Sequence, residues 1–206
     1  MANVHTVADI ENSRNGNANA RGLPSTYETV WPKISKIYFP FFNVLTFNFF
    51  IILIQILMFV VSIVVAKFVG SKIIFVVVDN DISINPDALV LLGASSLPKI
   101  QEGQVFRFIT PAFLHANFSH IFFNVFFQLI LGFFFEKDWG HWRIAFAFFV
   151  GAWGATAFSA VVEHSTRISV GSSGALFAYL GFALVFLVFN WSNLPDRLMR
   201  LINIIL

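Results

Sequence analysis

Residues 47–66 read FNFFIILIQILMFVVSIVVA, twenty positions without a charged side chain. About 20 apolar residues in a helix cross the hydrocarbon core of a bilayer. The stretch therefore predicts a membrane-spanning helix, which Lys67 ends. The whole chain has the same character. Of its 206 residues, 57% are hydrophobic, 28 are Phe and only 12% are charged. Soluble domains carry about 25% charged residues, and the mean hydropathy here is +0.77. A soluble core of this size cannot hide that much apolar surface, so lipid is the solvent for much of it.

Outward from this helix, the chain divides at about residue 46. Residues 1–46 are expected to be a cytosolic polar tail and interfacial segment, mostly disordered. Asn15–Ala20 has no periodicity, and Trp31–Phe42 mixes Lys33 and Lys36 with aromatics, which suits the headgroup layer. No apolar region follows Met1, so the first helix serves as the signal anchor. Residues 68–117 form a long loop, expected to hold short helices in or near the interface. Ile73–Val78 within it is too short to span.

A second span is expected over Phe118–Phe135, ended by Glu136, Lys137 and Asp138. A third covers Ile144–Val162, with Gly151 and Gly154 inside it, and a polar turn, Glu163–Arg167, follows. The fourth covers Val170–Phe189. Trp191–Arg200 reads as a loop containing Pro195, and Leu201–Leu206 starts a fifth span that the chain does not complete. The expected fold class is an all-α membrane protein: a polytopic helical bundle of four complete transmembrane helices plus the start of a fifth. Lys and Arg number eight on the N-terminal side and five on the other, which favours a cytosolic N-terminus.

Several function classes fall away. There are no cysteines, hence no disulfide, thiolate site or cysteine nucleophile. A net charge of +2 does not point to nucleic acid. The five His residues lack the spacing of a zinc site; His115 and His120 fall on different faces if their segment is helical. No metal or cofactor is expected.

Polar side chains inside spans mark function by default. His120 and Asn124 are four apart at the start of the second span, on one helix face. Ser173 lies in Gly171-Ser172-Ser173-Gly174 at the start of the fourth. Two crossings separate these spans, so all three residues sit near the same membrane face. A serine nucleophile needs a base and donors for the oxyanion, and Asn124 and His120 are such donors. Each residue also has a plainer reading. Gly-x-Ser-Gly serves small-residue packing, an Asn serves helix-to-helix hydrogen bonding, and a His sits at interfaces.

These residues resemble the rhomboid family of intramembrane serine proteases. Phe106-Arg107-Phe108-Ile109-Thr110-Pro111 looks like the end of the family's first loop. His115, His120 and Asn124 match its pattern of His, four residues, His, three residues, Asn. Gly132, Glu136 and Gly140 match the spacing that closes the second helix, and Gly171–Gly174 matches Gly-x-Ser-Gly. The resemblance covers about residues 100–190. It implies Ser173 as nucleophile and His120 and Asn124 as oxyanion-stabilising residues. It gives His115 a more structural part, and Arg107 a part in positioning the first loop, with Phe106 where Trp is common.

The family's general-base His lies on a sixth span. No histidine here follows His164, in the turn before Ser173, so the dyad base is absent from these 206 residues. The expected activity is rhomboid-type serine endopeptidase cleavage of single-span membrane proteins, with the chain truncated at its C-terminus and inactive as it stands. The alternative is a non-catalytic rhomboid-like protein that binds client membrane helices. A transporter or channel is disfavoured, because the expected spans contain no charge.

Overall fold

The computed structural model describes residues 43–69, 74–78, 81–162, 167–195 and 197–205. The expected polar tail and interfacial stretch through residue 42 lie outside the described residues, as does His164.

Helix α1 (Phe47–Ala66) starts at Thr46, whose side chain accepts a hydrogen bond from the backbone N–H of Phe49. Its burial inverts that of a soluble helix. Asn48, Gln55 and Ser62 are buried, whereas Leu53, Leu57, Val60 and Val64 are exposed. The three polar residues recur every seven positions and so share one face. Such a helix suits apolar surroundings and a polar-studded interior.

The loop after α1 holds two short helices, as expected, and also a β-hairpin that the hydropathy reading missed. Strands β1 (Phe75–Val78) and β2 (Asp81–Ile84) pair antiparallel, with Phe75 opposite Ile84 and Val78 opposite Asp81. A β-branched run too short to span satisfies its backbone by folding on its neighbour. Helix α2 (Pro86–Leu91) follows, its first turn capped by the Asn85 side chain, which accepts from the Asp87 N–H at 2.9 Å. Then come the two-residue strand β3 (Ser95–Ser96), helix α3 (Leu97–Gln101) and 3₁₀ turns at Val105–Phe108 and Thr110–Phe113.

Arg107 stitches this loop together. Its buried guanidinium donates to the carbonyls of Val90 and Ala94, both at 2.8 Å, and to Gln104 Oε1 at 2.8 Å. Phe106, where Trp was noted as common, lies with its ring 5.2 Å from the guanidinium. Beneath the loop, Ile84, Leu89 and Leu114 form an apolar cluster of their own.

Helix α4 runs from Phe118 to Trp139, with one π-type turn at Gln128–Gly132. It therefore extends past the expected end at Phe135. Glu136 does not close the span; it lies within the helix and is buried. Gly140, at φ +80°, ends α4 and allows α5 (His141–Val162) to begin at once. Strand β4 (Ile168–Ser169) pairs with β3, and α6 (Ser173–Phe189) follows. Helices α1, α4 and α5 are long and apolar enough to span. The 17 residues of α6 lie at the lower limit of a span.

Helix α7 (Arg197–Ile205) begins three residues before Arg200, inside what the sequence reading treated as loop. The expected loop over Trp191–Arg200, marked by Pro195, therefore ends earlier than its residues suggest.

Helices α5 and α6 pack along a seam of small residues. A Cβ built on Gly174 would collide with the Cβ of Ala155, and one on Gly151 with that of Ala178. This is the close helix approach that small residues permit in membranes. Below the seam, Phe148, Ile144 and Tyr179 fill the centre.

At the other end of the bundle, Glu136 holds α1 and α4 together. Its carboxylate accepts from the backbone N–H of Phe47 at 2.6 Å, the N–H of Asn48 at 3.0 Å and the Asn48 side-chain amide at 2.7 Å. Nδ1 of His141 completes the shell. Asn48 Oδ1 in turn accepts from Gln128 and Tyr179, each at 3.2 Å. Gly132 leaves room for it, since a Cβ there would lie 2.5 Å from Asn48 Oδ1.

Two outcomes follow from this packing. Replacing Glu136 with Ala orphans the donors at the start of α1. Leaving a partner of a buried charged network unpaired costs roughly 3–5 kcal/mol, and Glu136→Gln, which keeps the shape and one acceptor, costs about half that. Chemical unfolding in detergent, followed by circular dichroism, should show that order. Gly174→Val should cost about 1–3 kcal/mol as an overpacked contact, while Gly181→Val, exposed on α6 with open space around it and an ordinary helical backbone, should keep a bundle of wild-type stability.

Candidate active site

The N-termini of α4 and α6 meet at the end of the bundle opposite Glu136. Asn117 caps α4: its Oδ1 accepts from the backbone N–H of His120 at 2.8 Å and from the Ser119 hydroxyl at 2.9 Å. Its amide donates to Asp81 Oδ2 at 2.6 Å, tying the helix start to the hairpin. One turn further on, Asn124 is buried, and its Nδ2 donates to the His120 carbonyl at 2.8 Å.

Gly171 comes in from the other segment. Its N–H donates to the Pro111 carbonyl at 2.8 Å, and its φ is +117°. The His120 ring lies against it: a Cβ on Gly171 would sit 2.6 Å from His120 Nε2. Conformation and space both demand glycine here. Next in the chain, the fully buried Ser172 donates from its hydroxyl to Asn124 Oδ1 at 3.1 Å.

The structure thus brings His120, Asn124, Gly171 and Ser172 into one cluster. Ser173, the first residue of α6, is exposed, and its hydroxyl makes no hydrogen bond among the described residues. Gly174 belongs to the α5–α6 seam. The two readings of Gly-x-Ser-Gly are therefore divided between its ends: Gly174 packs helices, and Gly171 admits an imidazole.

The supporting residues have distinct places. His115 is fully buried outside the span, edge-on to His120 with ring centroids 5.2 Å apart and planes at 73°. Neither of its ring nitrogens has a hydrogen-bond partner among the described residues. Burial, and then the neighbouring His120, hold its pKa down to about 3, so the ring stays neutral. Arg107 braces the preceding loop, and Glu136 sits at the opposite end of α4. Among the described residues, no group of three or more His, Asp or Glu is placed to hold a metal.

Residue type and spacing assign Ser172 no role, although it is the serine that reaches Asn124. The inward polar row Asn48, Gln55 and Ser62 was missed as well, and its seven-residue spacing was the available signal. Chemically, the cluster offers hydrogen-bond donors rather than a base. Asn124 retains one amide N–H beyond the bond to His120. The first N–H groups of α6 have no partner within their helix.

The rhomboid domain model matches residues 102–206. Rhomboid-like protease 1 of Toxoplasma gondii is 36% identical over 135 residues, which are 65% of this chain and 46% of that protein. Rhomboid-like protease 2 of the same organism is 33% identical over 120 residues, 58% of this chain and 42% of the relative. Rhomboid-type serine protease 2 of Emericella nidulans is 34% identical over 115 residues, 55% of this chain and 23% of the relative. The chain spans less than half the length of these curated relatives. The matched stretch, just over half of this chain, holds both helix starts that build the cluster, and the chain belongs to the rhomboid family.

Proposed function

We propose that this chain carries the nucleophile and the oxyanion donors of a rhomboid-type intramembrane serine endopeptidase. The observation that carries the reading is the junction of α4 and α6: Gly171 against the His120 ring and Ser172 against Asn124, beside an accessible Ser173. In this reading the Ser173 hydroxyl attacks a peptide carbonyl and forms an acyl-enzyme. The charge that develops on the oxygen is met by the free amide N–H of Asn124, a ring N–H of His120 and the backbone N–H of Ser173. The substrates are single-span membrane proteins whose helices unwind easily near the face where α4 and α6 begin, and the chain's N-terminus lies in the cytosol.

Among the described residues the cluster supplies no base: His115 is buried and neutral, and His120 acts as a donor in this reading. Losing one member of a nucleophile–base unit removes most of the rate.

Expressed from its complete gene and treated with a fluorophosphonate in membranes, the protein should take label on Ser173. Ser173→Ala abolishes labelling and Ser172→Ala does not. The 206-residue chain alone should label at least about 100-fold more slowly, because nothing in its cluster takes the proton. Label mapped to Ser172, or proteolysis that survives Ser173→Ala, would overturn the assignment. One observation favours a second reading: the hydroxyl on Asn124 belongs to Ser172, not Ser173. A non-catalytic rhomboid-like protein that holds client helices would retain those clients unchanged on Ser173→Ala.

Gly171→Ala separates the cluster's geometry from its chemistry. The added methyl would drive into the His120 ring from a backbone conformation that disfavours alanine. Labelling of Ser173 should fall at least tenfold, while the melting temperature in detergent changes less than it does in Gly174→Val.

A further inference from the structure

A cleft of about 400 Å³ opens between α1, the hairpin and the start of α4, apart from the Ser173 cluster. Its walls are apolar, with Phe59 and Ile63 from α1 and Phe118 from α4. Its rim is polar, formed by Asp81, Asn117 and Ser119. From Phe118 an exposed aromatic stripe runs along α4 away from its N-terminus. Phe118 and Phe122 stack at 6.4 Å and 24°, and Phe122 and Phe126 at 6.3 Å and 11°. A polar rim at a helix end above an apolar floor and a flat aromatic track is the profile of an amphiphile standing in one bilayer leaflet.

The hydrogen-bond inventory of the rim says what head that amphiphile carries. Asp81 Oδ2 accepts from Asn117 and Oδ1 from the Ile82 N–H, and a carboxylate keeps acceptor capacity beyond two bonds. Ser119 spends its proton on Asn117 Oδ1, which leaves its oxygen as an acceptor. Asn117 retains one side-chain N–H. Within one hydrogen-bonded group the rim thus presents an anionic acceptor, a hydroxyl acceptor and a single amide donor. An ammonium group fits the two acceptors and a phosphate oxygen the donor.

We propose that this cleft binds one zwitterionic glycerophospholipid with an ethanolamine head. The ammonium donates to Asp81 and Ser119, the phosphate accepts from Asn117, and an acyl chain lies over Phe118 and down the aromatic stripe. An anionic head without an amine would meet Asp81 with like charge. A choline head supplies charge but no N–H donor. The proposal does not rest on the catalytic reading of Ser173.

The test is lipid retention. The full chain is purified from nanodiscs containing equal parts phosphatidylethanolamine, phosphatidylcholine and phosphatidylglycerol, and single-lipid adducts are read by native mass spectrometry. The expected order is ethanolamine over choline over glycerol, with the ethanolamine lipid at least fivefold over the glycerol lipid. Asp81→Asn, which can still accept from Asn117, should erase that preference. Ser119→Trp, which fills the cleft from its exposed rim, should lower all adducts. Glycerophosphoethanolamine, the head without chains, should fail to displace the bound lipid. Equal retention of the three lipids by the wild-type chain overturns the proposal, a result that needs no variant to fold. So does a preference that survives Asp81→Asn, or displacement by the chainless head.

Discussion

A carboxylate inside a lipid-facing bundle is tolerable only where donors surround it, and Glu136 obtains them from the beginning of another helix. The first turn of any helix leaves N–H groups unpaired and carries partial positive charge. Glu136 meets the first two N–H groups of α1, so one contact discharges two liabilities. It also fixes the height of α1 against α4. The end of α4 that carries Glu136 is pinned to Asn48, and its start is pinned by the Asn117 cap and the bond to Asp81. Between them the helix is a strut of 22 residues. The π-type turn at Gln128–Gly132 brings Gln128 onto Asn48 from the same strut. His120 and Asn124 are held in place because both ends of that strut are fixed.

Space in the bundle is made by glycine and filled by polar groups. Gly132 admits Asn48, Gly171 admits the His120 ring, and Gly151 and Gly174 bring α5 and α6 together. Where the solvent is lipid, apolar side chains gain little by turning inward, so close approach and internal hydrogen bonds hold the helices instead. The burial of α1 follows from this. Its Asn and Gln face neighbours that satisfy them at least in part, and its Leu and Val face out.

Much of this architecture was legible from hydropathy alone, because a span needs an uninterrupted apolar run and such a run cannot be hidden. The first and third spans were placed to within a few residues of α1 and α5. The errors fell where charge was treated as punctuation. Glu136 was read as the end of a helix because a carboxylate is costly in lipid, yet its donors come from 88 residues away and no local pattern announces them. The hairpin was missed because four β-branched and aromatic residues carry too little periodicity to tell a strand from a single turn of buried helix. At the candidate site, residue types and spacing single out His120, Asn124 and Gly171, which the fold brings together. They did not reveal which of two adjacent serines faces Asn124, since that depends on the angle at which α6 begins.

That angle decides which of the two serines is buried and which is exposed. Successive side chains on a helix are about 100° apart, so two neighbours cannot both face Asn124. Ser172 faces it and is fully buried; no peptide carbonyl reaches a hydroxyl in that position. Its bond occupies Asn124 Oδ1, and the His120 carbonyl occupies one N–H of the same amide. The amide is thereby locked with its remaining N–H as the free group. Ser173, the first residue of α6, is the exposed hydroxyl of the pair. In the proposed reading, Ser172 is a positioning residue for Asn124, and the exposure of Ser173 is what the role of nucleophile requires.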